Sequence, residues 1–554
     1  MQNTEHTIWT KSKSLVKLSV LSSAIFFAIN GNALAAKVPE GVVLADKQEV
    51  RIQTTAEAAT LDPQKMEGTG ESLLARQLLE GLVNTDEQDH LVPGVAERWE
   101  YGPENKSLTF YLRKDAKWSN GDPVTAHDFV YAWQRLVDPK TASPYATYLE
   151  FMKMENVADI VAGKKSPDTL GVKAVDDHTL LLTLTAPVPY AADLTQHASL
   201  YPVHRATVEK HGDNWIRPEN FVGNGAYKIA ERVLNEKIAF ERSPTYWNDK
   251  ETVVNKVTFY VLNESSGIAR FRSGDLDIAN IPSTLYKDAK FRKEYDPQIH
   301  KSRKLGTFTY EMNLAKAPFD DIRVRKALDL AIEREVITDK VLGFGQTPTF
   351  TFTPHYIGAG EKIKQPEYAS WTQAQRNEEA KKLLSEAGYS KANPLKTELL
   401  YNTNEGLKNI AVAATSMWKK NLDGMTDITL KNMEWKTFLD TKAQKNYTLA
   451  FSAWMADYND ASTFLTYYLS NSDQNKIGFK SETFDKLINE SYYAKDEADR
   501  AEIYAKAEAE LNSHHPFVAI YHYAGLFIKN PKVKGYEGKS PQGTYYIKDF
   551  YVEK

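Results

Sequence analysis

The order of apolar and polar positions predicts alternating strands and helices along the chain. In His178–Thr185, leucines recur at every second position, as in a strand with one buried face. Apolar residues recur instead at helical spacing in Ala380–Ala387, where Gly388 follows as an expected C-cap, and in Glu497–Leu511. Further strands are predicted at Val257–Leu262 and Phe308–Leu314. This mixture favours an α/β fold.

One predicted strand ends in a cluster of polar residues. The strand pattern of Tyr447–Trp454 leads into Met-Ala-Asp-Tyr-Asn-Asp, so that Asp457 follows the carboxyl end of the strand. Open α/β sheets bind ligands at such ends, where a carboxylate could hold a cationic group. Asp-Tyr-Asn-Asp is also strong turn chemistry. The pattern alone leaves both interpretations of Asp457 open.

The first 35 residues have the layout of a secretory signal peptide. Three lysines precede the apolar segment Leu18–Ile29, and Ala33–Ala35 supplies the small residues of a cleavage site. The alternative, a membrane-spanning helix, needs about 20 apolar residues, and this segment is shorter. We expect cleavage before Ala36, export to the periplasm, and no lipid anchor.

Charge and cysteine content narrow the classes of function. Removing residues 1–35 takes away three Lys and one Glu, which changes the formal net charge from −4 to −6. A mildly acidic chain favours solubility and argues against a nucleic-acid partner. The absence of cysteine excludes disulfides, thiol catalysis and cysteine metal sites. We expect a soluble monomer without a cofactor.

The sequence contains no recognisable catalytic motif. G-x-S-x-G, H-E-x-x-H and G-x-x-x-x-G-K-[ST] are all absent. The adjacent pair His514–His515 lacks metal-ligand spacing, and the acidic pairs Asp176–Asp177 and Asp320–Asp321 are typical of turns and N-caps. We therefore do not expect an enzyme, although a secreted hydrolase with two carboxylates stays an alternative.

Long blocks of the sequence are familiar. Leu108–Pro139 (LTFYLRKDAKWSNGDPVTAHDFVYAWQRLVDP) resembles the signature region of the oligopeptide-binding proteins of ABC permeases, in family 5 of the solute-binding proteins. The murein-tripeptide-binding relatives are similar as well. Further blocks run along the mature chain in the same order: GNGAYKI (Gly223–Ile229), ERSPTYWND (Glu241–Asp249), RSGDLDI (Arg272–Ile278), PFDDIRVRKAL (Pro318–Leu328), RNEEAKKLLSEAGY (Arg376–Tyr389), EWKTFLDT (Glu434–Thr441) and ADYNDASTFL (Ala456–Leu465).

The resemblance implies an α/β, two-lobed, three-domain periplasmic binding protein of class II (cluster C), with mixed β-sheets. A two-strand hinge is implied near Gly306 and Ala524, about which the lobes close on ligand. Domain I would comprise residues 36–79, 206–306 and 525–554. Domain II would comprise 80–205, and domain III 307–524.

The resemblance also implies a function and a set of site residues. The protein would capture oligopeptides between its lobes and deliver them to an inner-membrane ABC permease. Asp457 would take the α-ammonium of the peptide, because a buried charge needs a partner. The matching blocks place these residues around the ligand: Glu67, Thr69, Tyr145, His197, Asn402, Trp435, Trp454, Met455 and Tyr523. For the aromatic members, plain core packing is the alternative.

The sequence departs from the family where basic residues bind the peptide's terminal carboxylate. Phe451 and Leu407 stand at two such positions, and Lys442 at a third. Apolar side chains cannot compensate a buried carboxylate. Lys442 could still serve a ligand of one length, or the cavity could take a longer or hydrophobic peptide, an antimicrobial or murein-derived peptide, or haem.

Overall fold

The structure, a computed structural model, describes residues 38–554, so the expected signal peptide lies outside the described residues. Its strands are β1 Glu49–Thr54, β2 Val83–Thr85, β3 Leu91–Pro93, β4 Ala96–Tyr101, β5 Ser107–Leu112, β6 Val172–Asp176, β7 Thr179–Thr183, β8 Tyr227–Val233, β9 Lys237–Arg242, β10 Lys256–Val261, β11 Ile278–Asn280, β12 Ile299–Met312, β13 Thr347–Pro348, β14 Leu395–Asn402, β15 Thr426–Met433, β16 Leu449–Met455, β17 Phe517–Lys529, β18 Val533–Lys534 and β19 Tyr551–Val552. Its α-helices are α1 Thr69–Leu78, α2 Ala126–Val137, α3 Tyr148–Phe151, α4 Val157–Val161, α5 Ala191–Leu194, α6 Arg205–His211, α7 Glu264–Arg272, α8 Ser283–Tyr286, α9 Ala289–Tyr295, α10 Ile322–Leu330, α11 Gln373–Glu386, α12 Glu405–Asn421, α13 Trp435–Ala443, α14 Ser462–Leu465, α15 Glu482–Ser491 and α16 Glu497–Ser513.

The predicted mixed α/β architecture is confirmed. The largest sheet has the order β15-β14-β16-β12-β17-β11-β1-β10-β9-β8, with β13 paired to β17. Pairs such as β14–β15 and β1–β10 are parallel, whereas β12 pairs antiparallel with both β16 and β17. Antiparallel strands β4, β5, β7 and β6 form a separate four-stranded sheet.

Most of the elements predicted from local sequence patterns are present in the structure. β7, β10 and β16 lie within or beside the predicted strands, and α16 covers the segment predicted from Glu497 onward. Helix α11 ends at Glu386, and Gly388 follows with a φ of +91°, the left-handed conformation that glycine adopts most readily. Asp321 caps α10 by accepting a hydrogen bond from the backbone N–H of Arg323, as the acidic pair predicted.

Two long strands, β12 and β17, run through the middle of the sheet and connect its two ends. Their pairing is interrupted between Arg303, opposite Ala524, and Thr307, opposite His522, so that β12 carries two additional residues there. Gly306 lies in this interruption and pairs instead with Met455, whose side chain occupies the space that a Cβ would need. Hinge bending at this point stays a prediction.

The four-stranded sheet, residues 96–183, lies within the segment predicted as domain II, although the domain boundaries themselves stay predictions. One hydrophobic core includes Trp133 and Phe110 beside that sheet, and a second includes Phe308 and Trp418 beneath β12, β14 and β16. Within residues 38–554, no helix combines the length and the apolar character needed to span a membrane.

Candidate functional site

A cavity of about 550 Å³ lies beside the interruption between β12 and β17. Its size falls within the range of about 300–1,000 Å³ typical of ligand pockets. Its walls come from all three predicted domains. They include the thirteen residues predicted for the site: Glu67, Thr69, Tyr145, His197, Asn402, Leu407, Trp435, Lys442, Phe451, Trp454, Met455, Asp457 and Tyr523. The structure thus brings these residues together, and ligand binding by them stays a prediction.

Strand β16 positions one wall of the cavity. It carries Phe451, Trp454 and Met455, and Asp457 follows two residues after its end. The backbone N–H of Asp457 donates to Oγ1 of Thr463 at 3.1 Å, which fixes the loop. The turn chemistry of this loop is supplied by Asp460, whose Oδ1 accepts hydrogen bonds from the N–H and hydroxyl of Ser462. The Asp457 carboxylate is therefore free to face the cavity.

Asp457 is a buried carboxyl group beside a neutral histidine. Its Oδ1 lies 3.4 Å from Nε2 of His197, and the side chains are only 12% and 7% exposed. Burial raises the pKa of Asp457 to about 8, although the charge of Arg76 acts in the opposite direction. Burial, reinforced by Arg76, lowers the pKa of His197 to about 3. Near pH 7 the carboxyl group is thus largely protonated, and a cation beside it would favour its ionisation.

Aromatic rings flank this carboxyl group. Tyr145 stacks on Trp454, with the ring centroids 6.5 Å apart and the planes at 25°, and its ring centroid lies 4.5 Å from that of His197. Nδ1 of His197 lies 2.8 Å from Oγ of Ser199, so the nitrogen that does not face Asp457 is also engaged. Both ring nitrogens of His197 thus have polar neighbours within the protein.

Glu71, a buried carboxylate that contacts the lining residue Trp435, was not predicted from the sequence. Nε1 of Trp435 donates to Oε1 of Glu71 at 3.0 Å, and the N–H of Ala59 donates to the same oxygen at 3.0 Å. Glu71 is 2% exposed, and burial raises its pKa. The segment Glu67–Thr69 was assigned by family resemblance, but Glu71 carried no signal of its own beyond its position in the first turn of α1.

Lys442 was predicted as a carboxylate anchor, but it already has an anionic partner. Its Nζ lies 2.9 Å from Oε2 of Glu311 and donates to Oγ of Ser452 at 3.0 Å. Glu311 also accepts hydrogen bonds from the hydroxyls of Tyr467 and Tyr468, at 3.0 and 3.2 Å. Sequence reasoning missed Glu311, although a charged residue inside the apolar strand pattern Phe308–Leu314 was a signal that it needs a partner.

Hydrogen bonds also join residues of predicted domains II and III beside the cavity. The N–H of Thr147 donates to Asp473 at 2.9 Å, and the N–H of Asp473 donates to the hydroxyl of Thr147 at 3.2 Å. Nε2 of Gln474 donates to the carbonyl of Pro144 at 2.8 Å. These contacts hold the two sides of the cavity against each other.

Comparisons with known proteins agree with this architecture. Residues 90–476 match the family described as "Bacterial extracellular solute-binding proteins, family 5 Middle". The chain belongs to this family. It is 52% identical to the periplasmic oligopeptide-binding protein OppA of Haemophilus influenzae, over 97% of this chain and 99% of that protein. It is 46% identical to OppA of Salmonella typhimurium, over 98% and 99%.

The chain resembles some solved structures of this fold much more closely than an open form of one of them. The chain matches the crystal structure of the Haemophilus influenzae OppA complex with RPPGFSPFR with a TM-score of 0.90 and 53% identity, over 92% of this chain and 100% of that one. Two structures of the murein tripeptide binding protein MppA are both 41% identical to it. One, from Escherichia coli, gives a TM-score of 0.89 over 92% and 100%; the other, an unliganded open form, gives 0.64 over 93% and 99%. Residues 38–554 therefore have an arrangement unlike the open form.

Proposed function

We propose that the protein captures oligopeptides in the periplasm within a closed cavity and delivers them to an inner-membrane ABC permease. The proposal is supported by the names of its relatives, which are periplasmic oligopeptide-binding proteins, and by the similarity to a structure of one relative in complex with a peptide. It includes export by a cleaved signal peptide, a monomeric state and the absence of catalysis.

The observation that carries the proposal is the position of Asp457. It is a buried carboxyl group at the cavity wall, and among the described residues its nearest basic group is a neutral His197. A cationic group brought by a ligand would supply the missing partner, and every peptide with a free N-terminus carries an α-ammonium. Asp457 would therefore fix the amino end of the peptide.

The remaining cavity suits ligands of varied sequence. Peptides share a backbone, which a binding protein can pair with as it would with an added strand. Side chains would lie against walls such as Trp435 and Tyr523, with water filling the space that each ligand leaves. Asn402 fits this role, since its Oδ1 is buried without a hydrogen-bond partner among residues 38–554.

Closure would exclude water from the ion pair. We place the hinge at the interruption between β12 and β17, near Gly306 and Ala524. The hydrogen bond from Trp435 to Glu71 connects predicted domains III and I across the cavity, so it would form as the lobes close. The interaction of the peptide with Asp457 would strengthen as the local dielectric constant falls.

Native mass spectrometry of freshly purified protein tests this function. The account predicts a bound species whose mass and fragmentation identify a peptide with a free N-terminus. If the bound species is instead a murein-derived tripeptide, haem or another hydrophobic ligand, that molecule would replace general oligopeptides as the assigned ligand. Recovery of cleaved rather than intact peptide after prolonged incubation would contradict the non-catalytic part of the proposal.

A further inference from the structure

Acidic side chains outnumber lysines and arginines around the cavity, and two of the acidic side chains form no ion pair within residues 38–554. Three lining residues are acidic, Glu67, Glu264 and Asp457, and Lys442 is the one lysine among them, with no arginine. Glu67 and Glu264 have no ion pair with any Lys, Arg or His among residues 38–554, since none lies within 4.0 Å. Burial, together with the neighbouring Glu405, raises the pKa of Glu264 to about 7. The cavity therefore offers ligands several acidic groups.

The one lysine that lines the cavity, Lys442, already forms an ion pair within the protein. The Lys442 side chain is 11% exposed and the Glu311 side chain 1% exposed, so their 2.9 Å contact is shielded from water. The Lys442 ammonium forms an ion pair with Glu311 and donates a hydrogen bond to Oγ of Ser452. Glu311 is held in turn by hydrogen bonds from two tyrosine hydroxyls and lies on the central strand β12.

This pairing changes what Lys442 can do for a ligand. A carboxylate that approached Nζ would also approach the charge on Glu311, and the repulsion would offset most of the attraction. The neighbouring lining residues Phe451 and Leu407 are apolar and offer no hydrogen bond. A free carboxylate enclosed at this end of the cavity would thus be desolvated without a compensating charge.

We propose that Glu311 determines ligand specificity by neutralising Lys442, so that the cavity selects peptides that enclose no free carboxylate within it. Such ligands are C-terminal amides and peptides long enough for their terminal carboxylate to reach solvent. The inference rests on the proposed function, since it concerns the distal end of a peptide that Asp457 holds by its amino end.

Calorimetry with matched peptides tests the inference on the unmodified protein. A nested series of lysine-containing peptides, from the dipeptide upward, is titrated with each member as the free acid and as the C-terminal amide. At lengths that leave the terminus enclosed, the amide is expected to bind more tightly than the acid, and the two should bind equally once the terminus reaches solvent. Equal affinity of acid and amide at every length would contradict the selection. An acid that binds about tenfold more tightly than its amide, the effect of one charged hydrogen bond, would overturn the inference.

The same series separates this inference from the proposed function. If short amides bind more tightly than the corresponding acids and N-acetylation abolishes binding of both, the amino-terminal anchor and the inference are both supported. If acids bind more tightly, the inference fails while the peptide-binding function stands. If no peptide binds, the proposed function is overturned, and the inference with it.

Glu311→Gln provides a gain-of-function test. The substitution retains an oxygen for Tyr467 and Tyr468 but removes the charge that neutralises Lys442. At the peptide length that reaches Lys442, the variant should prefer the acid to the amide by about tenfold. Glu398→Gln is a matched control, since Glu398 pairs with Lys431 on the surface, away from the cavity lining. An unchanged acid-to-amide ratio in a Glu311→Gln protein that still binds amides would contradict the inference.

Discussion

Replacing Asp457 by Asn removes the charge of the proposed anchor while keeping its shape. Losing one partner of a buried, hydrogen-bonded charge pair costs about 2–5 kcal/mol of binding free energy. Against this, ionising Asp457 near pH 7 costs the unmodified protein about 1.4 kcal/mol, because its pKa of about 8 lies about one unit higher. The middle of the range is about 3.5 kcal/mol, so about 2.1 kcal/mol remains, which corresponds to a rise in Kd of about 35-fold.

Isothermal titration calorimetry at pH 7 measures this loss directly. A peptide with a free N-terminus should show it, whereas the N-acetylated form of the same peptide should bind weakly and almost equally to both proteins. Asp440→Asn is the matched control, since Asp440 is exposed and does not line the cavity. A loss below about threefold, or an equal loss with the acetylated peptide, would refute the anchoring role of Asp457.

Three further predictions concern closure and stability. Trp435→Phe removes the hydrogen bond to buried Glu71 and should weaken peptide binding about tenfold; unchanged calorimetric affinity would contradict a role in closure. Arg334→Met removes the arginine partner of buried Asp329, whose other ion-pair neighbour is His515 at 3.1 Å, and should cost about 3–5 kcal/mol of unfolding free energy in urea titrations; a loss below about 1 kcal/mol would contradict this. Since Asp457 takes up a proton when closure buries it, the closed unliganded form should gain about 1.4 kcal/mol per unit as pH falls from about 8 toward 4. Small-angle scattering should show this compaction and should show less of it for Asp457→Asn; equal profiles would contradict it.

Much of the local structure follows from short sequence patterns. The alternation in Tyr447–Trp454 predicts β16, and helical spacing followed by Gly388 predicts α11 and its end. The pattern predicts only the second half of β12, because Ile299–Lys304 contains five polar or charged residues and no alternation of apolar ones. That half of the strand is held by pairing with β17, more than 200 residues away, which no local pattern can indicate.

The candidate site, too, could be predicted from the sequence only in part. The position of Asp457 after a strand end is visible in the sequence, but its neighbour Asp460 has similar turn chemistry, and only the fold shows which of the two faces the cavity. Family resemblance assigned the thirteen lining residues but treated Lys442 as an available cation. Its neutralisation by Glu311 depends on a contact between α13 and β12, two elements far apart in the sequence, which no local pattern can indicate.

A crystal structure of the protein with a bound peptide tests the central claim most directly. The account predicts a closed cavity in which the α-ammonium of the peptide lies about 2.7–2.9 Å from a carboxylate oxygen of Asp457. A ligand whose amino end lies elsewhere, or whose terminal carboxylate pairs with Lys442 while Asp457 makes no contact, would contradict it.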